Sequence, residues 1–387
     1  MKVLVISHTY IAPINRDKWH VLSTLYPEAI IKVVFPKLWS TTIFNHRATI
    51  NPDHQLPNCT QIALDTRKQG NELLYTYNHK QLFSLIKTFQ PDVLHVEQGA
   101  GAFSYFQANS YIKLLRLKTK CVFFTWINWH TEFPFKQRLI LTPIEKMNLL
   151  CSSGAIAGNH DAKKILQEKG FKKPILVLPQ LGISLEIFKP HQKNVRPNTT
   201  KYIAYIGRIV EEKGVFLLVN AFLELCKNFP DWKLVIIGKG DAEHRLRSFV
   251  ATHNAHHRID FCRPIPHENV ATVLRNIDIL ALPSYDTPEW REQFGHVLIE
   301  AMACNIPVIG SSAGEIPHVI GDAGLVFEQR NLQSLIAQLQ TLMQDETLRH
   351  ELGQKGATRV ATHYSHDAIA HKTYAFWKEL LNYDPRS

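Results

Sequence analysis

The sequence predicts an α/β protein built from two doubly wound parallel sheets. Short apolar runs alternate with helical patterns along the chain, the 387 residues exceed what one core usually serves, and a polar, proline-bearing stretch interrupts the alternation near the middle. Apolar runs separated by helical patterns are typical of βαβ units, whose strands pair in parallel. We therefore expect two such domains in series.

The expected strands fall into two groups, one on each side of the polar stretch. They are 3–6, 31–35, 93–96, 122–126, 154–157 and 175–178, followed by 202–206, 234–237, 279–282 and 307–309. Residues 189–201 are interpreted as the linker between an N-terminal domain, 1–188, and a C-terminal domain, 202–366. Apolar and aromatic residues recur at helical spacing in the last segment, about 367–387, which predicts a helix that crosses back to the N-terminal domain.

Cysteine spacing and hydropathy indicate a cytoplasmic protein. The six cysteines are scattered and form no Cys-x2-Cys pair, so neither a metal site nor a disulfide framework is expected. The first apolar run ends at Ser7, which is too short for a signal peptide and suits a first buried strand. Since the sequence has no run of 18 apolar residues, we expect no membrane span.

The positive charge lies in the first half of the chain. Residues 1–188 contain 22 Lys and Arg against 12 Asp and Glu, whereas the remainder is balanced. Four basic residues, Lys113, Arg116, Lys118 and Lys120, occur in a stretch that also has an apolar side. This pattern indicates either contact with an anionic membrane surface or lipid-linked acceptor, on the inner face of the membrane, or an ordinary solvated helix face. Nucleic acid is not an expected partner, because no recognised binding module surrounds these residues.

Two glutamates, Glu292 and Glu300, lie in a strand, loop, helix and strand unit. The expected strand is 278–283, and a helix over 295–304 follows the polar loop. Free amides and the macrodipole at the start of such a helix attract an anion such as a diphosphate. Residues 292–300 would span about 12 Å if helical, so the two carboxylates could bracket one ligand. The alternative is a solvated loop acid and a helix acid stabilised by the dipole.

A second set of residues follows the expected strand 202–206. Gly207 allows a sharp turn at the carboxyl end of the strand, where open sheets bind ligands. Arg208 and Lys213 could then face a diphosphate and stabilise it as it departs. The alternative is a surface arginine and a lysine paired with a neighbouring glutamate, Glu211 or Glu212.

Together these segments resemble the retaining family-4 glycosyltransferases. The resemblance rests on Gly207-Arg208-x4-Lys213-Gly214, Gly238-x-Gly240, Pro283-Ser284, Glu292-x7-Glu300 with Ala-Met-Ala, and Pro307-Val308-Ile309. It covers most of residues 200–365 and continues more weakly through the first half. It implies the GT-B fold, in which two Rossmann-like domains face a cleft.

The resemblance also implies roles for individual residues. Arg208 and Lys213 would hold the diphosphate, Glu292 would bond hydroxyls of the donor sugar, and Glu300 would hold the ribose. The other residues expected around the donor are Gly207, Gly238, Gly240, Ile265, Phe294, Gly295, His296 and Val297. In this family the leaving diphosphate oxygen is thought to take the acceptor proton, so no carboxylate nucleophile, cofactor or divalent metal is expected.

Candidates on the acceptor side lie in the N-terminal domain. The family's histidine near the donor sugar follows the fourth strand, where this chain has Asn128, Trp129 and His130 at shifted spacing. His130 is a candidate catalytic residue, and Glu97, Asn128 and Trp129 are candidate acceptor contacts. Core or loop roles are equally open for these side chains, and a structural histidine is the commoner case.

The sequence therefore predicts a cytoplasmic hexosyltransferase that uses a nucleoside-diphosphate sugar. Its expected acceptor is a glycan or a lipid-linked glycan, in the synthesis of a polysaccharide or glycoconjugate. Two alternatives stay open: a nucleotide-sugar epimerase or sugar phosphorylase on the same fold, and a noncatalytic subunit that binds nucleotide sugars.

Overall fold

The computed structural model describes residues 1–40, 45–49, 56–130, 134–190 and 200–383. The chain divides into two compact units. The N-terminal unit comprises Met1–Gly182 together with His366–Ser387, and the C-terminal unit comprises Ile183–Ser365. The chain thus enters the C-terminal unit ahead of the predicted linker, whose residues 191–199 lie outside the described residues.

The described residues form strands in both units. In chain order they are β1 Lys2–Ile6, β2 Ile30–Pro36, β3 Leu38–Ser40, β4 Asn45–Arg47, β5 Cys59–Leu64, β6 Thr66–Arg67, β7 Thr76–Tyr77, β8 Val93–Val96, β9 Lys120–Thr125, β10 Gly154–Ala157, β11 Ile175–Val177, β12 Lys201–Ile206, β13 Trp232–Ile237, β14 Ile259–Cys262, β15 Ile279–Leu282, β16 Val308–Ser311 and β17 Leu325–Phe327.

The α-helices of the described residues follow in the same order. They are α1 Asp17–Leu25, α2 His79–Phe89, α3 Phe103–Leu114, α4 Phe135–Cys151, α5 His160–Glu168, α6 Val215–Leu225, α7 Glu243–Thr252, α8 His267–Leu274, α9 His296–Ala303, α10 Ile316–Ile320, α11 Leu332–Gln344, α12 Glu346–His363 and α13 His366–Asn382.

The main sheet of the N-terminal unit runs in the order β11-β10-β9-β8-β1-β2-β5. All of its pairings are parallel, with Val3 opposite both Ile31 and Val93. Its strands are apolar on both faces because helices cover both sides, and two separate clusters of buried side chains result.

The last helix, α13, completes the core of the N-terminal unit. Trp377 is fully buried and stacks on Trp19 of α1, with ring centroids 5.8 Å apart. Its indole nitrogen donates a hydrogen bond to Nδ1 of His95 in β8, at 3.2 Å. Burial lowers the pKa of His95 to about 4, so this ring is neutral and can accept that bond. The predicted helix near the end of the chain therefore belongs to the first unit.

The sheet of the C-terminal unit runs in the order β14-β13-β12-β15-β16-β17, again with parallel pairings. Its core surrounds β12 and β13 and includes Phe222 of α6 and Leu339 of α11. The predicted fold class of two doubly wound parallel sheets is confirmed.

Candidate active site

The C-terminal unit has a topological switch point between β12 and β15. From β12 the chain adds β13 and β14 on one side and then returns to place β15 on the other side. The loops that leave these two strands therefore diverge, and open sheets bind ligands in the crevice between such loops. The loop after β12 carries Arg208 and Lys213, and the loop after β15 carries Glu292.

Lys213 and Glu292 meet across this crevice. Nζ of Lys213 donates to Oε2 of Glu292 at 2.6 Å, and the hydroxyl of Ser284 donates to the same oxygen at 2.8 Å. Glu292 is only 6% exposed, so the pair is sheltered from water. Lys213 thus pairs with neither of the glutamates beside it in sequence. One of those, Glu211, instead pairs with Arg245 at 2.6 Å.

Further contacts hold this ion pair in place. The ammonium of Lys213 lies 4.8 Å from the ring centroid of Trp290, within the range of a cation–π interaction. The backbone oxygen of Glu292 accepts a hydrogen bond from the amide of Glu315 at 3.1 Å. Because an ammonium carries three N–H donors, Lys213 can keep its bond to Glu292 and still donate to a phosphate oxygen.

Two glycines let the loops at this edge approach one another. Gly214 has φ +68°, and a Cβ there would lie 1.9 Å from the backbone oxygen of Pro283 at the end of β15. Gly238 has φ +152°, and its Cβ would lie 1.9 Å from the backbone oxygen of Gly207. Any side chain at either position would push the loops apart, so both sequence glycines serve the close contact of neighbouring loops.

The start of α9 lies in the same segment as Glu292. Gly295 is the N-cap residue, so His296 and Val297 begin the helix with amides that have no partner within it. Phe294 is buried, and its ring contacts those of His296 at 4.8 Å and Tyr364 at 5.4 Å. Burial lowers the pKa of His296, which favours its neutral form at pH 7. This helix start provides the positive dipole end expected at an anion site.

Glu300 lies on α9 and contacts the first residue of α8. Oε1 of Glu300 is 3.1 Å from Nε2 of His267, and Glu300 is 7% exposed. The hydrogen bond to Glu300 raises the pKa of His267, although burial opposes the shift. The carboxylate has a second oxygen, so it can accept a ribose hydroxyl while it keeps the histidine.

Other predicted donor residues lie on loops that leave the same edge. Arg208 is exposed directly after β12, where the hydroxyl of Tyr205 donates to its backbone oxygen. Gly240 follows β13, and its Cβ would lie 2.2 Å from the backbone oxygen of Ile209. Ile265 is half-buried in the segment after β14. The fold thus places the predicted donor residues in one unit, on the loops that follow β12 to β15 and in the first two turns of α9, while their contacts with a ligand stay a prediction.

A cavity in the N-terminal unit contains two of the acceptor-side candidates. It has a volume of about 390 Å³, and Trp129 and His130 line it together with Gly99 and Arg138. His130 is exposed, and its Nε2 lies 3.2 Å from a carboxylate oxygen of Glu168. These side chains are accessible to a small ligand, and their role in acceptor binding stays a prediction.

Glu97, in contrast, is held inside the N-terminal unit. It is 4% exposed, forms an ion pair with Lys18, and accepts hydrogen bonds from the hydroxyl of Tyr10 and, at 2.9 Å, from the amide of Gln180. Burial alone would raise the pKa of Glu97, but the charge of Lys18 holds it below its usual value. Asn128 is likewise only 1% exposed. The contacts of Glu97 are those of a buried structural group.

The comparisons with known proteins assign the segment that carries the donor residues. Residues 186–359 match the family of glycosyl transferases group 1. The chain carries a group 1 glycosyltransferase domain. That domain contains Arg208, Lys213, Glu292 and Glu300.

Curated proteins with related sequences are also glycosyltransferases. The capsular polysaccharide biosynthesis glycosyltransferase CapM of Staphylococcus aureus is 27% identical over 62% of this chain and 63% of its own length. The D-inositol 3-phosphate glycosyltransferase of Corynebacterium jeikeium is 30% identical over 48% of this chain and 45% of its own length. The chain thus covers about half to two thirds of these relatives.

Solved structures of glycosyltransferases share the architecture over almost the whole chain. A glycosyltransferase from Rickettsia africae has a TM-score of 0.72 at 16% identity and covers 99% of both chains. HepE from Anabaena, solved with UDP, has a TM-score of 0.71 at 13% identity over 98% of this chain and all of its own. Sucrose-phosphate synthase from Thermosynechococcus elongatus scores 0.69 at 20% identity over 98% and 99%. The group 1 domain therefore lies within a GT-B fold.

Sequence reasoning missed several partners of the predicted residues. No sequence pattern marked Trp290 or His267, because only the fold brings Trp290 close to Lys213 and His267 close to Glu300. Ser284 was part of the family motif, but its bond to Glu292 was not expected. Lys18 could be identified as the partner of Glu97 only from the packing of α1 beside the end of β8.

Proposed function

We propose that this chain is a retaining glycosyltransferase that moves a hexose-type sugar from a nucleoside-diphosphate sugar to a glycan or lipid-linked acceptor. One observation carries the proposal: the half-buried Lys213 pairs with the buried Glu292 at the switch point of the sheet, just ahead of the start of α9. A cation, a carboxylate and a helix N-terminus together match a ligand that has both phosphates and sugar hydroxyls.

In the proposed complex, Arg208, Lys213 and the amides at the start of α9 bind the diphosphate. Glu292 accepts hydrogen bonds from sugar hydroxyls, and Glu300 accepts one from the ribose. HepE was solved with UDP and, in a further complex, with UDP-glucose, which supports a uridine nucleotide as the first donor to test.

The proposed reaction exchanges one bond at the anomeric carbon. The bond from this carbon to the diphosphate oxygen breaks while the acceptor hydroxyl oxygen forms a bond on the same face. The hydroxyl proton passes to the departing diphosphate oxygen, so no side chain acts as nucleophile. Positive charge from Arg208, Lys213 and α9 stabilises the leaving group, and the proposal includes no cofactor and no divalent metal.

The proposed acceptor site is the cavity of the N-terminal unit lined by Trp129 and His130. An aromatic ring can pack against a sugar face, and the charged residues at the rim can bond hydroxyls. The names of CapM and of the corynebacterial relative support a role in polysaccharide or glycoconjugate synthesis. The proposed setting is the cytoplasm.

Alanine variants of the two basic residues test the diphosphate assignment. We expect Arg208→Ala and Lys213→Ala each to lower transfer from UDP-glucose by about a hundredfold or more, as the loss of a group that stabilises a developing charge usually does. Arg247→Ala and Lys355→Ala are the controls, since these side chains pair with Glu243 and Glu351 on helix surfaces. Wild-type rates in either test variant would overturn the assignment.

Lys213→Ala leaves the Glu292 carboxylate buried without its cation. The double variant Lys213→Ala/Glu292→Gln removes both charges and therefore serves as a control, with thermal unfolding to check that it folds.

Two further measurements separate the proposal from its alternatives. An isomeric sugar nucleotide formed without acceptor would identify an epimerase. Nucleotide-sugar binding with no release of nucleoside diphosphate across an acceptor screen would identify a noncatalytic subunit.

A further inference from the structure

Helix α4 of the N-terminal unit buries polar groups and exposes apolar ones. Asn148 is fully buried: its amide donates to the backbone oxygen of Ala100 at 2.7 Å, and its oxygen accepts from Asn109 of α3 at 3.1 Å. Glu145 pairs with Lys169 at 2.6 Å. The apolar Leu141 is buried on the same side of the helix, so polar and apolar contacts together attach α4 to the unit.

The opposite side of α4 is apolar and exposed. Five of the eleven exposed large hydrophobic residues of the described chain lie on this helix: Phe135 at 76%, Leu139 at 62%, Ile140 at 57%, Met147 at 42% and Leu150 at 78%. At about 100° per residue they fall within an arc of roughly 140°. An apolar surface of this extent on one helix marks an interaction site. We call this arc the α4 face.

Basic residues occupy and flank the α4 face. Lys136 and Lys146 fall within the same arc, and the helix has a single acid, Glu145, which lies outside it. At the last turn, Lys173 donates to the backbone oxygen of Leu150 at 2.7 Å.

We propose that the α4 face docks the protein on an anionic lipid bilayer. Apolar side chains enter the boundary between headgroups and acyl chains, while Lys136 and Lys146 contact lipid phosphates. No helix in the described part of the chain is long and apolar enough to span a bilayer, and docking in the plane of the interface needs none. A second copy fits less well, because pairing two such faces would oppose lysines to lysines without an acid between them.

Docking would also bear on the acceptor. Arg138, Leu141 and Thr142, in the first turns of α4, line the cavity that holds Trp129 and His130. A bilayer bound to the α4 face would therefore be separated from this cavity only by α4 itself. A lipid-linked acceptor could then reach the cavity while its lipid stays in the bilayer. This last step rests on the proposed function, whereas docking itself does not.

Vesicle sedimentation tests the docking directly. We expect the wild-type protein to sediment with phosphatidylcholine vesicles that contain phosphatidylglycerol, and to do so less at high salt. Leu139→Ser/Leu150→Ser should abolish sedimentation, whereas Leu185→Ser/Ile187→Ser, at exposed apolar positions of the C-terminal unit, should not. No sedimentation of the wild type, or unchanged sedimentation of the Leu139/Leu150 variant, would overturn the proposal.

A lysine pair tests the charge contribution. Lys136→Ala/Lys146→Ala should weaken binding to the anionic vesicles about 25-fold, from roughly fivefold for each lysine at the membrane surface. Lys80→Ala/Lys87→Ala removes the same charge from α2 and should change binding far less; equal loss in both variants would show only a general effect of net charge.

Sedimentation velocity without lipid distinguishes a second copy. A dimer that dissociates in the Leu139/Leu150 variant would assign the α4 face to self-association and overturn bilayer docking. Thermal stabilisation by UDP, measured on every variant, reports donor binding separately, so failure to dock and failure of the proposed transferase function give different results.

Discussion

The charge of Lys213 balances that of Glu292. The bond of 2.6 Å is sheltered, and Ser284 donates to the same carboxylate oxygen. A buried carboxylate without these partners would be costly, so Lys213 and Ser284 together stabilise Glu292. The donor in our proposal must bind both groups while leaving them paired.

Glu292→Gln separates the sugar contact from the phosphate contact. The amide keeps the shape and can still bond Ser284, but it removes the negative charge facing Lys213. We expect transfer to fall about a hundredfold, or about 2.7 kcal/mol in transition-state stabilisation, while UDP binds no more weakly because Lys213 is released from its partner. Calorimetric titration with UDP and steady-state kinetics measure the two effects. Equal weakening of UDP binding and of transfer would show that Glu292 acts on the phosphates or the fold.

The contact of His267 with Glu300 predicts a dependence of stability on pH. Because this hydrogen bond raises the pKa of His267, its contribution is complete below the ordinary histidine pKa of about 6.5 and is lost as pH rises through the higher folded-state value. His267 is about half exposed, so screening by solvent limits the effect to about 0.5 kcal/mol.

His267→Asn measures this effect. The variant should lower the thermal midpoint more at pH 6 than at pH 9, with His244→Asn on the surface of α7 as the control. A larger deficit at pH 9 would contradict the direction of the shift.

At the level of elements, the loops at the carboxyl edge of the C-terminal sheet depend on close backbone contacts. The contact of Gly238 with the oxygen of Gly207 fixes the turn before Arg208. Each such contact depends on two loops, and the sequence of one loop does not show which neighbouring loop it contacts.

Gly238→Ala should destabilise the protein and disturb donor binding together. Its Cβ would collide with the backbone of Gly207, so we expect a loss of about 2–4 kcal/mol and weaker binding of UDP. Gly170→Ala is the matched control, since Gly170 also has a positive φ, of +81°, but its Cβ would meet nothing within 4 Å. Chemical denaturation of both variants isolates the collision from the backbone strain. Equal losses would refute the close contact.

Most central strands could be predicted from the sequence, whereas two strands at sheet edges, β5 and β17, could not. Strands such as β1, β8 and β12 are buried on both faces and have continuous apolar runs. β5 was missed because the polar Thr60 and Gln61 interrupt its apolar run, and β17, which has only three residues, was also missed, whereas the edge strand β11 was predicted. The side of α4 that faces the core also could not be predicted from the sequence. Apolar residues occur on both sides of this helix, and only the packing shows that Asn148 is buried.

At the scale of the whole molecule, the two-unit organisation could be predicted and the partners across long sequence distances could not. Alternation of strands and helices was enough for two doubly wound sheets, and the motifs located the donor residues on one of them. The Lys213–Glu292 pair spans 79 positions along the chain, and Glu97 meets Lys18 across a similar distance. Only the assembled sheets bring such residues together.

Trp377→Ala tests the contribution of α13 to the N-terminal unit. Removal of this fully buried ring should cost about 3–5 kcal/mol, and Trp377→Phe about 1–2 kcal/mol, because it keeps most of the packing but loses the bond to His95. Denaturation followed by tryptophan fluorescence, with and without UDP, would measure the loss of stability and the stabilisation by UDP. We expect the UDP-dependent stabilisation of the C-terminal unit to persist, and its complete loss would show that the two units do not keep separate cores.

The position of α13 sets an order of events during synthesis on the ribosome. Helix α13 supplies Trp377 to a core whose other members, such as Trp19 and His95, are made hundreds of residues earlier. Ile183–Ser365 emerge in full before that helix does, so the second unit can close its core first. The N-terminal unit, although it is synthesised first, therefore keeps an incomplete core until α13 emerges. We expect chaperones to bind this nascent form.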